Sequence, residues 1–210
     1  MAADLDLDLY LVTDTGMCAE RGVVETVRSA VRGGVTVVQV RDPDASAREL
    51  YELVLRVREV VAGTRVPVLV NDRLDVALAA GADGVHLGQS DLPVRRARAL
   101  AGPDFLVGWS VSDAAELDAA NSLPPGAVDY LGLGPVLGTP TKPEAAAPTG
   151  VEGLRQLVAA SRLPSVAIGG VHADNAREVL DTGVDGLCVV SEICAAEDPE
   201  SAAARLRKGA

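Results

Sequence analysis

Short runs of Val, Leu, Ile and Thr alternate along the chain with longer stretches rich in Ala, Leu, Arg and Glu. The short runs are almost continuously apolar, which is typical of strands covered on both faces of a parallel sheet. They predict eight strands: Leu7–Thr13, Thr36–Arg41, Pro67–Asn71, Gly84–Leu87, Leu106–Val111, Tyr130–Gly134, Ser165–Ile168 and Gly186–Val190.

The stretches between these runs predict helices, of which Ala47–Ala62 and Ala114–Ala120 are clear examples. Ser112 and Asp113 each offer an N-cap for the second helix. Glu116 follows Asp113 by three residues, which is the spacing of a capping box. The chain therefore alternates strands with helices, as α/β proteins do.

A glycine begins the segment that leads into every second strand, and we expect each to follow a helix end in the left-handed conformation. Eight strand–helix units without a long linker predict one domain over residues 1–210, an α/β fold of the (β/α)₈ or TIM-barrel type. A doubly wound open sheet is the alternative, but the turn after the first strand lacks its Gly-rich phosphate motif. The four segments are Gly34–Thr36, Gly81–Gly84, Gly126–Asp129 and Gly183–Gly186.

Composition narrows the class of protein. Among 210 residues, 48% are apolar, too many for a disordered chain, yet there are only one Phe, three Tyr and one Trp. The core must therefore be built from aliphatic side chains. A net charge of −11 disfavours binding to nucleic acid or to an anionic membrane surface.

The cysteines and the N-terminus suggest a cytoplasmic protein. Cys18, Cys188 and Cys194 lack metal-site spacing, so we expect buried thiols in a reducing compartment. Met1–Tyr10 carries three Asp and no basic residue, unlike a secretory leader. No apolar run approaches the roughly 20 residues of a membrane span. A homo-oligomer stays open at this stage.

Polar residues stand where the predicted strands end, which is the functional face of a barrel. Gln39 and Arg41 are two apart and so share one side of their strand. Arg41 either faces the barrel mouth or forms an ion pair with a nearby acid. Asp72 and Asp91 end adjacent strands, and two carboxylates at one mouth suit Mg²⁺. As an alternative, Asp72 caps the helix that follows it.

Two further segments suit phosphate. Thr139–Lys142 offers hydroxyls, backbone N–H groups and one Lys in a Gly/Pro-rich loop. Gly169, Gly170 and Ser191 end the last two strands, where barrels commonly bind phosphate. Each segment alone is also compatible with an ordinary loop or turn.

Nucleophilic catalysis is not indicated. His86 lies within a strand, which favours a hydrogen-bonded wall residue over a base. His172 has no obvious partner in the sequence, and no Ser or Cys stands with a His and an acid in a triad pattern. The residues by themselves therefore indicate a barrel enzyme with a Mg²⁺ site and one or two phosphate sites.

In order along the chain, these motifs resemble those of the thiamine phosphate synthase family. The resemblance covers about Leu7 to Leu206, and its most specific parts are Gly84–Asp91 and the Thr-x-Thr-Lys of 139–142. The other matching stretches are Leu9–Asp14, Val38–Arg41, Val70–Arg73, Gly108–Val111, Tyr130–Lys142, Ile168–Val171 and Val190–Ser191.

The resemblance implies a (β/α)₈ transferase that joins a hydroxymethylpyrimidine diphosphate to a thiazole phosphate, giving thiamine phosphate and diphosphate. It implies that Asp72 and Asp91 bind Mg²⁺, and that Arg41, Lys142 and Ser110 act in catalysis. It also assigns residues to the two substrates. The pyrimidine diphosphate would be held by Gln39, Arg41, Asn71, Ser110 and Lys142, and the thiazole phosphate by Thr139, Thr141, Gly170, Val190 and Ser191.

Two positions depart from the family pattern. Pro43 stands where the family often has a Lys, and Arg73 or Lys142 is the candidate to replace that cation. Ser112 stands where many relatives, and the related thiazole tautomerase, carry a His. This residue argues against the alternative of a tautomerase or another phosphate-binding isomerase. A barrel that binds its ligand without turnover is the remaining alternative.

Overall fold

Eight parallel strands form a closed barrel in which each strand pairs with the next and β8 pairs with β1. The computed structural model describes residues 5–138 and 146–207. All eight predicted strands and the (β/α)₈ barrel are confirmed, with strand ends within two residues of the prediction. The strands are β1 Leu9–Val12, β2 Val37–Val40, β3 Val68–Asn71, β4 Gly84–Leu87, β5 Leu106–Val111, β6 Tyr130–Leu133, β7 Ser165–Ile168 and β8 Gly186–Val189.

Helices cover the outside of this barrel. Ser46 and Glu49 close a complete capping box at the start of α3, whose buried residues recur every three or four positions. In the described residues the helices are α1 Thr15–Cys18, α2 Gly22–Arg32, α3 Ala47–Val61, α4 Leu74–Ala79, α5 Val94–Ala101, α6 Ala114–Asn121, α7 Gly150–Ala160, α8 Ala176–Leu180, α9 Ser191–Cys194 and α10 Pro199–Leu206, with a 3₁₀ turn at Ala19–Arg21. Within those residues, no helix is long and apolar enough to cross a membrane.

Strand residues alternate between two separate cores. In β1, Leu9 and Leu11 pack outward against the helices, whereas Tyr10 and Val12 belong to a smaller cluster inside the barrel. Polar side chains join this inner layer near the carboxyl ends of the strands. Gln39 is 4% exposed and His86 is 9% exposed. The interior of the barrel is therefore polar at the carboxyl ends of the strands and aliphatic at the opposite end. We expect the active site at the polar end.

The repeated segments before the even-numbered strands have a common structural role. Asp83, Asp129 and Asp185 each accept a hydrogen bond from a backbone N–H at the start of the preceding strand, at 2.7–2.8 Å. The acceptor for the N–H of Leu9 is the hydroxyl of Thr36. The side chain before each even strand thus joins it to its odd neighbour at the amino-terminal face, which is the stability face of a barrel.

The glycines that begin these four segments all have positive φ, as predicted, but their positions relative to the preceding helix differ. Gly34 and Gly81 directly follow the C-cap residues Gly33 and Ala80. Gly126 and Gly183 lie further from the helices before them, so the C′ prediction is wrong for these two. Their loops contain extra residues between helix and strand, and positive φ is needed at the loop rather than at the helix end.

Candidate active site

A cavity of about 520 Å³ opens at the carboxyl end of the barrel and reaches into its polar interior. The structure brings nine predicted site residues to its wall, although their roles toward a substrate stay predictions. These residues are Gln39, Arg41, Asn71, Asp72, Asp91, Ser110, Gly170, Val190 and Ser191. Thr139, Thr141 and Lys142 lie outside the described residues.

Arg41 is held at the cavity through its backbone. Its N–H donates to the hydroxyl of Thr13 at 3.0 Å, and that hydroxyl donates back to the carbonyl oxygen of Arg41 at 3.3 Å. The guanidinium lies 3.8 Å from the carboxylate of Asp14, and both side chains are mostly buried. Arg41 therefore combines both predicted situations, because it lines the cavity and has a nearby acid.

The two candidate metal ligands are fixed in different ways. Asp72 has a φ of +60°, which is unusual for a non-glycine residue, and its N–H donates to the carbonyl of His86. One oxygen of Asp91 accepts a hydrogen bond from the N–H of Gly88 at 2.7 Å. Because β3 and β4 are adjacent, both carboxylates line one cavity.

The loops after β6 and β7 pack closely together at the other side of the mouth. Gly169 and Gly170 have φ values of +94° and +67°. A Cβ at Gly170 would lie only 2.6 Å from the Cβ of Leu137, so only glycine fits there. The side-chain amide of Asn175 donates to the carbonyl of Gly170 at 2.8 Å. Packing against Leu137 and the hydrogen bond from Asn175 therefore fix the backbone at Gly170.

Several cavity residues were not assigned to the site from the sequence. Glu116 lines the wall, and one carboxylate oxygen accepts hydrogen bonds from the N–H and the hydroxyl of Ser112 at 2.6 and 2.8 Å. Asp113 caps α6, as one of the two predicted N-caps, but the Glu116 carboxylate bonds Ser112 rather than the cap residue. In the sequence, Glu116 lies three residues after Asp113 and four after Ser112, so its spacing is compatible with a hydrogen bond to either residue.

The histidines also find partners. His86 is confirmed as a hydrogen-bonded wall residue, because its ring nitrogens lie 2.9 Å from the hydroxyls of Tyr130 and Ser110. The Nδ1 of His172 lies 3.0 Å from Glu192, a partner that sequence spacing could not identify. Tyr10 also reaches the cavity wall, and no polar motif in the sequence indicated it.

Arg73 is not placed to replace the family's missing lysine. It does not line the described cavity wall, and it forms a bidentate pair with Asp75 at 2.7 and 2.9 Å. That hydrogen-bonded pair raises the pKa of Arg73 and lowers the pKa of Asp75. The expectation that Arg73 compensates for Pro43 therefore has no support in the geometry, because a neighbouring acid on α4 holds the guanidinium.

Charge on the described cavity wall is unbalanced. Arg41 is the one permanently cationic side chain there, against the carboxylates of Asp72, Asp91 and Glu116. An anionic ligand would be repelled by this wall unless further positive charge accompanied it. The donor set thus suits a divalent cation that takes oxygen ligands.

The comparisons with known proteins agree with this fold and identify a family. A family model described as "Thiamine monophosphate synthase" matches residues 9–193. The chain is 50% identical over 202 residues to the thiamine-phosphate synthase of Albidiferax ferrireducens, covering 96% of this chain and 91% of that protein. It is 49% identical over 197 residues to the thiamine-phosphate synthase of a Psychrobacter species, covering 94% and 92%.

A comparison with a solved structure indicates the same family and the same fold. Thiamine phosphate pyrophosphorylase from Pyrococcus furiosus superimposes with a TM-score of 0.85 at 42% identity, covering 96% of this chain and 94% of that one. Both the family match and the identities extend over nearly all of the barrel. The chain therefore belongs to the thiamine monophosphate synthase family.

Proposed function

We propose that this protein couples an aminopyrimidine bearing a diphosphate on its exocyclic carbon to a thiazole phosphate, yielding thiamine phosphate and diphosphate. Family membership supports this reaction. The observation that carries the proposal is the cavity in which Asp72, Asp91, Arg41 and Ser110 meet at the carboxyl end of the barrel. These groups suit the binding of a diphosphate together with a metal ion.

Asp72 and Asp91 would hold Mg²⁺. Among the described residues, no group of three or more His, Cys, Asp or Glu side chains forms a metal-binding cluster. Two carboxylates nevertheless suit Mg²⁺, which keeps several waters and takes further oxygens from substrate phosphates. When bound, the ion would stabilise negative charge on the diphosphate as it leaves.

The residues of this chain have to orient two substrates rather than abstract a proton. The C–O bond breaks and its electron pair stays on the diphosphate oxygen, while the lone pair of the thiazole nitrogen forms the new C–N bond. No proton is removed in this exchange, which agrees with the described part of the site, where the ring nitrogens of His86 contact the hydroxyls of Ser110 and Tyr130 rather than the carboxylate of a triad. Arg41 would add fixed positive charge at the leaving group.

The remaining predicted contacts divide between the two substrates. Gln39, Asn71 and Ser110 would bind the pyrimidine diphosphate, together with Lys142. Gly170, whose backbone is held by Asn175, would bind the thiazole phosphate. Its other predicted partners are Thr139, Thr141, Val190 and Ser191. Buried Cys18, Cys188 and Cys194 agree with a reducing compartment, and we propose a cytoplasmic location.

The test is to mix the purified protein with both precursors, with and without Mg²⁺, and to follow diphosphate release and the mass of the product. Mg²⁺-dependent formation of thiamine phosphate is expected. We expect Asp91→Asn to lower the turnover rate on the order of a hundredfold and to weaken Mg²⁺ binding in the presence of diphosphate, measured by calorimetry.

Asp75→Asn is the matched control, since this exposed acid on α4 lies outside the cavity wall. It should leave both turnover and Mg²⁺ binding unchanged. Thiamine phosphate formation at the full rate without metal, unaffected by Asp91→Asn, would contradict the Mg²⁺ assignment. Absence of thiamine phosphate, in a folded protein that binds a precursor, would contradict the proposed reaction and would favour an isomerase-like reaction on the same barrel.

A further inference from the structure

Five side chains form a continuous hydrogen-bonded chain across the interior of the barrel. The amide nitrogen of Gln39 donates to the hydroxyl of Tyr10 at 2.8 Å, and that oxygen lies 2.7 Å from the hydroxyl of Tyr130. The Tyr130 oxygen is 2.9 Å from Nδ1 of His86, and Nε2 of His86 is 2.9 Å from the Ser110 oxygen. Its two ends are predicted substrate contacts, and its three central members have no assigned role.

The first link sets the direction of every other link. An amide nitrogen donates hydrogen bonds and cannot accept one. Tyr10 therefore accepts from Gln39. Its own buried proton needs an acceptor, and the hydroxyl oxygen of Tyr130 at 2.7 Å provides one. Tyr130 then directs its proton to Nδ1 of His86. A neutral imidazole with Nδ1 accepting carries its proton on Nε2, and this proton is donated to Ser110.

Burial keeps the two tyrosines in the protonated form that this direction requires. Tyr10 and Tyr130 are both fully buried. Loss of hydration raises the pKa of each phenol well above its ordinary value. Each phenol therefore retains one proton and contributes one donated hydrogen bond.

The packing around His86 and Tyr130 leaves space for this pair and for little else. Their ring centroids are 5.6 Å apart. A Cβ at Gly108, on the neighbouring strand, would lie 2.2 Å from the Tyr130 ring and 2.5 Å from Nδ1 of His86. The glycine thus provides the room in which the two rings meet, and the chain does not depend on an exposed, movable side chain.

We propose that Tyr10, Tyr130 and His86 are positioning residues that fix the hydrogen-bonding character of both substrate-facing ends. With its nitrogen used by Tyr10, Gln39 presents its carbonyl oxygen as an acceptor. Because the hydroxyl of Ser110 accepts from His86, its own proton is available for donation to a ligand. An aminopyrimidine offers the complementary pair, an amino donor and a ring-nitrogen acceptor. The ligand's identity rests on the proposed function, whereas the direction of the chain does not.

The direction can be measured without substrate. The protein contains two histidines, so ¹⁵N-histidine labelling gives two ring systems, and His172→Gln identifies that of His86. The couplings between ring nitrogens and ring hydrogens distinguish the tautomers. We expect the proton shared with Ser110 to reside on Nε2 and Nδ1 to accept from Tyr130. A proton on Nδ1 would overturn the proposal.

The effect on substrate is tested with Tyr130→Phe, which keeps the ring and removes the donor to His86. We expect the KM for the pyrimidine diphosphate to rise about fivefold, the loss typical of one hydrogen bond, with no change for the thiazole phosphate. The His86 spectrum should lose its single-tautomer pattern. Tyr51→Phe, on the outer helix α3, is the matched control and should change neither quantity.

The outcomes separate this inference from the proposed function. An unchanged tautomer and unchanged KM in Tyr130→Phe would overturn the positioning role. If that variant fails to fold, the spectrum of the unaltered protein still decides the direction, and Tyr10→Phe repeats the kinetic test. A wild-type spectrum with the expected tautomer, in a protein that forms no thiamine phosphate, would support the chain and contradict the reaction.

Discussion

Replacing Asp129 with alanine tests the role of the side chains that join neighbouring strands at the amino-terminal face. One carboxylate oxygen of Asp129 accepts a hydrogen bond from the N–H of Val107 at 2.7 Å. The same oxygen lies 2.6 Å from the guanidinium of Arg98, and the two side chains are only 11% and 15% exposed. Removing the acid would leave the mostly buried guanidinium of Arg98 without its carboxylate partner, with only its hydrogen bonds to backbone carbonyl oxygens remaining in the described residues.

The magnitude follows from these contacts. Breaking one side of a buried ion pair costs about 3–5 kcal/mol, whereas a hydrogen bond to a charged group contributes about 1.5–3 kcal/mol. We therefore expect Asp129→Ala to lower the free energy of unfolding by about 3–5 kcal/mol. Asp83 accepts the N–H of Val68 in the same way, and no basic side chain within residues 5–138 and 146–207 forms an ion pair with it. Asp83→Ala should therefore cost about 1.5–3 kcal/mol.

Urea denaturation and calorimetry measure both variants. At about 2–4 °C per kcal/mol for a chain of this size, Asp129→Ala should lower Tm by roughly 6–20 °C. Asp118→Ala, on the exposed face of α6, is the control and should stay within about 0.5 kcal/mol of the unaltered protein. A loss below about 1 kcal/mol for Asp129→Ala, against the 3–5 kcal/mol expected of a broken buried pair, would refute the reasoning.

Two further substitutions probe the cavity. Gly108→Ala should lower the free energy of unfolding by about 1–3 kcal/mol or more, because its Cβ would overlap the Tyr130 ring. Gly132→Ala should cost less, because its Cβ would lie 3.1 Å from the His86 ring, and thermal melting measures both variants. Ser112→His should keep kcat/KM within about tenfold, since the lost hydroxyl contact to Glu116 is a single hydrogen bond and the backbone N–H contact remains. A much larger loss in steady-state assays would show that Ser112 itself contacts substrate.

Much of the barrel could be predicted from local patterns. Each strand is a short and mainly apolar run, and burial on both faces makes such runs visible without knowledge of their neighbours. The predicted Gly84–Leu87, Leu106–Val111 and Ser165–Ile168 coincide with β4, β5 and β7. Helix limits were also readable where a cap is local, as at Asp113.

The site was only partly predictable, for a physical reason. Arg41, Asp72 and Asp91 end strands, and parallel strands bring their carboxyl ends to one face, so strand position alone brought them together. Glu192 as the partner of His172, and Asp75 as the partner of Arg73, depend on side-chain direction. Periodicity specifies which face a residue occupies but not which neighbour its side chain reaches.

The sequence by itself determined the alternation of strands and helices, the polar ends of the strands and the four repeated segments before the even strands. Only the tertiary structure showed why those segments repeat, since the hydrogen bonds of Asp83, Asp129 and Asp185 reach backbone groups 15 to 22 residues away. It also brought Tyr10 within 2.7 Å of Tyr130, 120 residues along the chain. Such contacts arise from closure of the barrel, which sets distances that no local pattern of residues contains.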